Sequence, residues 1–305
     1  MLKEIAKAIV PASWRSRFRA AQRQREIKRR PVLSRQDLLR NLDRMQIARG
    51  DTIFLHSGFS NLNLQLSIKE VAEILLERLG PDGTLLLPTF PPLPALEWML
   101  APDKFDVRRT PCLTGLLPEY VRRLPNAIRS LHPSKAVVAI GPRAKELVSD
   151  HAKSELPFDA HSPFYKLIAA HAKVAGLGVP TNYLTFVHAI EDDLREKFPV
   201  EPYDERRLTK TCVDATGQEH QLSCYCHRPC VTNYSDLPGF FRRHVSEPAV
   251  LQYRDRRIDF FVADAGRLFD EMKQLALRRI TIYPADFLTR YPRTGPLPSG
   301  STWTT

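Results

Sequence analysis

Residues 185–192, TFVHAIED, contain the residue types of an acid–base site. On a helix, residues three or four positions apart share a face, which would place His188 beside Thr185, Glu191 and Asp192. A carboxylate beside an imidazole fixes the tautomer of the ring and raises its basicity, and this suits a general base working near neutral pH. The spacing alone is more typical of a His–Glu pair on a solvated helix, so it indicates a candidate and does not establish a site.

Two other segments carry groups that could bind an anion or an oxyanion. The apolar run 52–56 leads into His-Ser-Gly, where hydroxyls and backbone N–H groups could hold a carbonyl oxygen or a phosphate. Arg129 lies just before another apolar run, and its guanidinium could bind a phosphate or carboxylate through two hydrogen bonds. Taken singly, both segments are also typical of ordinary polar turns beside strands.

Cysteines and histidines cluster between residues 212 and 230. Thiolates and imidazoles bind zinc tetrahedrally, commonly through pairs separated by about two to four residues. One cysteine pair here has three residues between its members and another has only one, which is too few for the usual zinc knuckle. The spacing therefore favours metal-free thiols, and a structural zinc site is the less favoured alternative. The members of the cluster are Cys212, His220, Cys224, Cys226, His227 and Cys230.

The segments that would position these groups alternate between strand-like and helix-like patterns. Continuous apolar runs typical of buried strands occupy residues 52–56, 84–87, 136–140 and 173–177, with further strands near Val231 and over 258–262. Amphipathic periods predict helices over residues 34–49, 67–79, 115–123, 143–149, 163–170, 185–196 and 266–277, the first of them with Ser34 as its N-cap.

This alternation predicts an α/β domain with a central, mostly parallel sheet flanked by helices. In such sheets, ligands bind beyond the carboxyl ends of the strands. Those ends carry the tripeptides His56-Ser57-Gly58, Pro88-Thr89-Phe90 and Gly178-Val179-Pro180. Composition divides the chain into a basic amphipathic arm (1–33), one α/β domain (34–290) and a loose tail rich in Pro, Gly, Ser and Thr (291–305).

The formal net charge of +11 is concentrated at the N-terminus. Residues 1–30 contain ten Lys or Arg against two Glu, so the rest of the chain is only mildly basic, which argues against nucleic-acid binding. The arm could lie on an anionic membrane surface or pack on the body or on another subunit. With no recognisable secretory signal or membrane-spanning run, we predict a cytoplasmic protein, with peripheral contact at the inner membrane surface as the alternative.

Five blocks of sequence occur in a fixed order: GDTIFLHSGFSNL (50–62), LGPDGTLLLPTF (79–90), FDVRRTPCLTGLLPEYVRRLPNAIRSLHPSKAVVAIGPRAKELVSDH (105–151), SPFYKL (162–167) and VAGLGVPTNYLTFVHAIED (174–192). Their order and spacing resemble the aminoglycoside 3-N-acetyltransferase family. The resemblance implies the α/β fold of that family, which differs from the GNAT fold. It also implies direct transfer of an acetyl group from acetyl-CoA to a small-molecule amine, with no metal.

The same resemblance implies roles for individual residues. His188 would deprotonate the attacking amine, and Glu191 would either orient His188 or hold ammonium groups of the substrate. A further set would line the CoA arm and steady the thioester oxygen: His56, Ser57, Gly58, Phe59, Ser60, Thr89, Arg129, Ser130, His132 and Thr185.

Two departures from the family pattern bear on the acceptor. Gly58 stands where the family has a second serine, which removes a hydroxyl, and the loop after Thr89 supplies only Glu97 as an acid. Polycationic aminoglycosides call for acidic pockets, so an amino sugar of a surface polysaccharide or a nucleotide-linked amino sugar is favoured over an antibiotic. The alternative to an acetyltransferase is a catalytically silent scaffold subunit at a membrane-associated synthesis complex. Zinc-dependent amidohydrolysis is a third and weaker hypothesis. The chain could also form a homo-oligomer.

Overall fold

In the computed structural model, the described part of the chain comprises residue 25 and residues 31–229 and 237–293. Ten α-helices lie in this part: α1 (Arg35–Arg44), α2 (Ile68–Leu79), α3 (Ala95–Leu100), α4 (Leu116–Val121), α5 (Ala144–Val148), α6 (Pro163–Ala169), α7 (Ala189–Leu194), α8 (Leu237–His244), α9 (Ala265–Leu277) and α10 (Ala285–Arg290).

The same part of the chain contains ten strands: β1 (Thr52–Ser57), β2 (Thr84–Pro88), β3 (Phe105–Asp106), β4 (Ile128–Arg129), β5 (Val137–Ile140), β6 (Lys173–Leu177), β7 (Leu208–Val213), β8 (Glu219–Cys224), β9 (Val250–Asp255) and β10 (Ile258–Asp264). Seven of them form one sheet in the order β4-β5-β2-β1-β6-β10-β9, and β3, β7 and β8 form a second, smaller sheet.

The predicted α/β class is confirmed, and within the large sheet the parallel pairs lie at the centre. Strand β1 pairs in parallel with β2 and with β6. The outer pairs are antiparallel on both sides, so the sheet is mixed. The three parallel strands end at a common edge, and this edge carries the three tripeptides singled out in the sequence.

Helices cover both faces of the large sheet because side chains alternate along its buried strands. On β1, Phe54 belongs to the core cluster on one face, while Ile53 and Leu55 belong to the cluster on the other. Helices α5, α6, α7 and α9 pack on the Phe54 side, and α1, α2 and α4 pack on the opposite side. The central strands are therefore buried on both faces, which explains their continuous apolar runs.

Two helices begin at the serine that their sequence predicts. At the start of α1, the N–H of Asp37 donates to Ser34 Oγ (3.2 Å), and the N–H of Ser34 donates to the Asp37 carboxylate (2.9 Å). Ser67 and Glu70 repeat this reciprocal arrangement at the start of α2. Each such capping box satisfies backbone donors that the helix itself leaves without partners.

Some elements differ from the sequence-based expectation. Residues 185–196 do not form one helix: a 3₁₀ turn (Thr185–His188) precedes α7, and Arg195, at φ 47°, ends it. The hairpin of β7 and β8 was not predicted, and neither was the helix α3 within the proline-rich loop. The strand expected near Val231 lies outside the described residues.

The predicted domain boundaries shift slightly at both ends. Leu33 is buried and its backbone bonds to Asn63 and Gln65, so it belongs to the α/β body and not to the arm. At the other end, Arg293 pairs with Glu201 at 2.9 Å and is almost fully buried. Most of the arm and of the tail lies outside the described residues. None of the helices described is long and apolar enough to cross a bilayer.

Candidate active site

His188 and Glu191 meet where the 3₁₀ turn joins α7. The Nδ1 atom of His188 is 2.8 Å from Oε1 of Glu191. Because an ionised carboxylate can only accept hydrogen bonds, Nδ1 carries the hydrogen and Nε2 keeps the lone pair that a base needs. The side chain of His188 is 16% exposed, whereas that of Glu191 is 1% exposed. Of this pair, the histidine is the member that a substrate can reach.

Glu191 accepts hydrogen bonds from three side chains. Besides His188, the Nε2 atom of His227 lies 2.9 Å from Oε2, and the hydroxyl of Tyr283 donates to Oε1 at 2.6 Å. Burial alone would raise the pKa of Glu191, but the electrostatic interaction with His188 and the hydrogen bonds from both histidines lower it well below its usual range. The carboxylate is therefore ionised and satisfied by protein groups, which favours an orienting role over contact with substrate ammonium groups.

His227 is held in place by a second layer of contacts. Its ring stacks on that of Tyr203, with centroids 4.5 Å apart and planes 16° apart. The hydroxyl of Tyr203 donates to Asp192 (2.6 Å), whose other oxygen accepts from the N–H of Phe158 (2.8 Å). Asp192, which the helical spacing placed beside His188, thus points instead into this layer. The contacts fix His227 against Glu191.

A cavity of about 410 Å³ opens at the carboxyl ends of the three parallel strands. All three strand ends contribute, through His56-Ser57-Gly58, through Pro88 and Phe90, and through Val179. Thr185 also lines the cavity and begins the 3₁₀ turn that ends at His188. The position predicted for a ligand, beyond the carboxyl ends of the strands, is thus an open cavity next to the candidate base.

Two side chains at the end of β1, those of Ser57 and His56, carry polar groups beside the cavity. The hydroxyl of Ser57 is buried and has no hydrogen-bond partner among the described residues. Burial lowers the pKa of His56 to about 3, so this ring is neutral at physiological pH. Its Nε2 atom lies 3.5 Å from the hydroxyl of Thr185. Ser57 thus lines the cavity and carries a buried hydroxyl that has no partner among the described residues.

Gly58 lies where the loop after β1 packs closely against the loop after β6. Its N–H donates to the carbonyl of Leu177 (2.8 Å), so it is not free to bind an oxyanion as the sequence suggested. A Cβ atom at Gly58 would lie 2.7 Å from the carbonyl oxygen of Gly178 and 2.8 Å from Val179. Gly178 itself has φ +71°, a conformation that favours glycine. The absent serine hydroxyl is explained by this tight packing.

We expect the replacement Gly58→Ser to lower the free energy of unfolding by about 1–3 kcal/mol, because overpacking forces backbone and side chains apart. Urea denaturation of both proteins measures the difference. Gly266→Ser is the matched control, since a Cβ atom there would meet only Asp264 at 3.5 Å. If Gly58→Ser bound CoA more tightly without losing stability, the packing explanation would be wrong.

Several residues expected to contact CoA lie in the interior instead of on the cavity wall. The Arg129 guanidinium binds the carbonyl oxygens of Thr89 (2.6 Å) and Thr110 (2.5 Å) and the Thr89 hydroxyl (3.1 Å). Its donors are thus used to tie loops to the sheet. Thr89 is fully buried by the same contacts, and Phe59 packs against the core between the sheet and α1 and α2.

Ser130 and His132 belong to a buried polar cluster with His151. Ser130 Oγ is 2.8 Å from Nδ1 of His151 and accepts the N–H of Val137 (2.9 Å). His132 stacks on His151 with ring centroids 4.3 Å apart, and its Nδ1 accepts the N–H of Lys135 (3.0 Å). These residues shape the segment behind the cavity and do not line it.

We expect buried histidines to make the protein labile to mild acid. Burial lowers the pKa of His56 and His132 to about 3 and that of His227 to about 4. In the unfolded chain each would bind a proton near pH 6.5, so their stabilising contribution is complete above that pH and is lost as the pH falls towards 4. Each histidine costs about 1.4 kcal/mol per pH unit in this window.

Urea denaturation between pH 7.5 and 5 measures this slope. The variant His132→Asn should reduce the slope, because it removes one of the buried histidines, whereas replacing the exposed His244 should leave it unchanged. A slope that is the same in His132→Asn and in the wild type would show that the His132 ring is not buried as a neutral group.

The described members of the cysteine–histidine cluster do not converge on one point. Nε2 of His220 lies 2.8 Å from Asp214, and His227 bonds to Glu191. Cys212 is buried in a small apolar core with Cys224 and Cys226. Cys230 lies outside the described residues. The only potential metal-ligand set found in the described ranges is His188, Glu191 and His227, whose ligand atoms already bond to one another.

Comparison with known proteins places this geometry in context. The family model for aminoglycoside 3-N-acetyltransferase matches residues 54–252. Aminoglycoside N(3)-acetyltransferase VIII of Streptomyces fradiae is 30% identical over 174 residues, covering 52% of this chain and 60% of that protein. Aminoglycoside N(3)-acetyltransferase VII of Streptomyces paromomycinus is 32% identical over 177 residues, again covering 52% and 60%. The chain thus matches about three-fifths of the length of these relatives.

Solved structures show the same fold over a larger part of the chain. The aminoglycoside acetyltransferase AAC(3)-Xa superposes with a TM-score of 0.71 at 20% identity, covering 86% of this chain and 99% of that one. The structure described as AAC-IIIb binary with CoASH superposes with a TM-score of 0.67 at 22% identity, covering 82% and 98%. At 20% and 22% sequence identity, this structural similarity establishes that the chain shares the fold of these proteins.

Proposed function

This chain belongs to the aminoglycoside 3-N-acetyltransferase family, and we propose that it transfers an acetyl group from acetyl-CoA to an amine of an amino sugar. The observation that carries the proposal is the His188–Glu191 hydrogen bond at 2.8 Å, one turn from a cavity at the carboxyl ends of three parallel strands. Relatives named for acetylation of aminoglycosides, and a structural neighbour described with CoASH, support the reaction class.

In the proposed reaction, His188 removes a proton from the acceptor ammonium group. Sugar amines are mostly protonated at neutral pH, and only the free amine has a lone pair for attack. With Nδ1–H bonded to Glu191, Nε2 of His188 is the nitrogen that accepts this proton. The ionised carboxylate then stabilises the imidazolium that forms.

The amine nitrogen attacks the thioester carbonyl carbon, and the carbonyl oxygen gains negative charge in the tetrahedral intermediate. Ser57 lines the cavity, and its buried hydroxyl has no partner among the described residues, so we propose that this hydroxyl rotates to donate to the carbonyl oxygen. The C–S bond then breaks, and the CoA sulfur takes the proton held by His188. The nitrogen gives its second proton to the freed Nε2 of His188, which passes it to solvent, so the products are the acetamide, CoA and one proton. The remaining contacts to the pantetheine arm are proposed for His56, Gly58, Ser60 and Thr185.

The proposal is tested by measuring thiol release from acetyl-CoA in the presence of a panel of amino sugars and aminoglycosides. Mass spectrometry of each acceptor then shows whether one acetyl group has been added. Thiol release that depends on the acceptor, with a matching acetylated product, is the expected result. No release with any acceptor, together with no binding of CoA by calorimetry, would overturn the proposal and favour a catalytically silent scaffold.

The missing serine hydroxyl at Gly58 is one ground for the scaffold alternative, and the basic N-terminal arm is the other. The close packing against Gly178 accounts for glycine at this position, and the neighbouring Ser57 still lines the cavity. The geometry therefore supports an enzyme more strongly than a scaffold.

A further inference from the structure

The cavity beside the candidate base has a positively charged and largely apolar wall. Among the described residues that line it, none is Asp or Glu, and one is a lysine, Lys135. Much of the remaining wall is apolar, including Phe90, Leu93 and Leu113. An aminoglycoside carries several positive charges, and this wall offers it no carboxylate and one like charge.

Lys135 is fixed at the wall by its surroundings. Its backbone N–H donates to Nδ1 of the fully buried His132 at 3.0 Å. Its Nζ lies 4.4 Å from the centroid of the Phe90 ring, a cation–π contact. Within the described ranges, no carboxylate lies within ion-pair distance of its ammonium group. Burial lowers the pKa of Lys135, and the nearby Cys226 and Cys224 partly oppose this shift.

Lys135 lines the same cavity as Thr185, the residue that begins the 3₁₀ turn ending at His188. The phosphates of CoA are separated from its thioester by the length of the pantetheine arm, so a cation near the base is better placed to meet the acceptor than those phosphates.

We propose that Lys135 selects an acceptor that carries an anionic group, a carboxylate or a phosphate, near the amine to be acetylated. This inference rests on the proposed acetyl transfer and names its acceptor class. The apolar wall strengthens an ion pair formed there, because the local dielectric constant is low. The same charge discriminates against polycations, which would have to approach an unneutralised ammonium group.

The test compares Lys135→Gln and Lys135→Glu with the wild type and with Lys145→Gln, which alters an exposed lysine on α5. The acceptors are glucosamine, glucosamine 6-phosphate, muramic acid and kanamycin, so phosphate and carboxylate are tried separately. Wild type should prefer the anionic sugars. We expect Lys135→Gln to lower kcat/KM for them by about tenfold or more, with little change for glucosamine, since an ion pair of about 1.4 kcal/mol corresponds to tenfold.

Lys135→Glu should shift the preference towards kanamycin, and Lys145→Gln should behave as wild type. An equal loss with charged and neutral sugars, or weaker binding of acetyl-CoA by Lys135→Gln, would overturn the inference in favour of a structural role or a contact with the cofactor. Calorimetric binding of glucosamine 6-phosphate and muramic acid is measured without turnover. Binding that depends on Lys135 without acetyl transfer would refute the proposed reaction only, whereas binding unaffected by Lys135 would refute the inference.

Discussion

Replacing His188 with alanine is expected to lower kcat for acetyl transfer by about 10²–10⁴-fold, the usual contribution of a positioned general base. The variant should still bind CoA with unchanged Kd, because His188 lies beside the cavity and is not among the residues that line it. Thiol-release kinetics with the best acceptor and calorimetry with CoA measure the two quantities on the same preparation.

The matched control for this variant is His244→Ala, which removes an exposed histidine at the end of α8. It should retain wild-type turnover. Thermal denaturation of both variants checks that neither is unfolded. His188→Ala removes one of three donors to the buried Glu191, so a loss of stability similar to that of Tyr283→Phe is expected. Near-normal turnover in His188→Ala would remove this residue from the mechanism and reopen the choice of base.

Much of the fold could be predicted from the sequence because its signals are local. The strands β1, β2, β5 and β6 are short continuous apolar runs, and the capping boxes at Ser34 and Ser67 each lie within four consecutive residues. The carboxyl ends of the parallel strands follow from strand order alone, and they do form the cavity. Patterns of this kind need no knowledge of which distant residues meet.

The remainder of the site depends on contacts between distant parts of the chain. His227 lies 36 residues and Tyr283 92 residues from Glu191, and no local period links them to it. His227 was assigned instead to a cysteine–histidine cluster on spacing alone. Arg129 likewise has the residue type of an anion binder, but only the tertiary structure shows that carbonyl groups of Thr89 and Thr110 occupy its donors.

Glu191→Gln is expected to lower kcat by about 10²-fold or more with little change in the Kd for CoA. A glutamine can keep its carbonyl oxygen towards His188 and Tyr283, but it loses the negative charge that stabilises the imidazolium during proton transfer. It also presents an amide N–H₂ where Oε2 now accepts from His227. The loss should therefore appear in kcat, as expected of a residue that acts through His188 without touching the substrate.

Tyr283→Phe provides the comparison that separates charge from packing. It removes one hydrogen-bond donor to Glu191 but leaves the carboxylate and both histidines in place. We expect it to lower the free energy of unfolding by about 1–2 kcal/mol, as for the loss of a hydrogen bond to a charged group, and to reduce kcat less than Glu191→Gln does. If the two variants lost kcat equally, packing around Glu191 and not its charge would control the base. If Glu191→Gln turned over normally, the carboxylate would serve the fold alone.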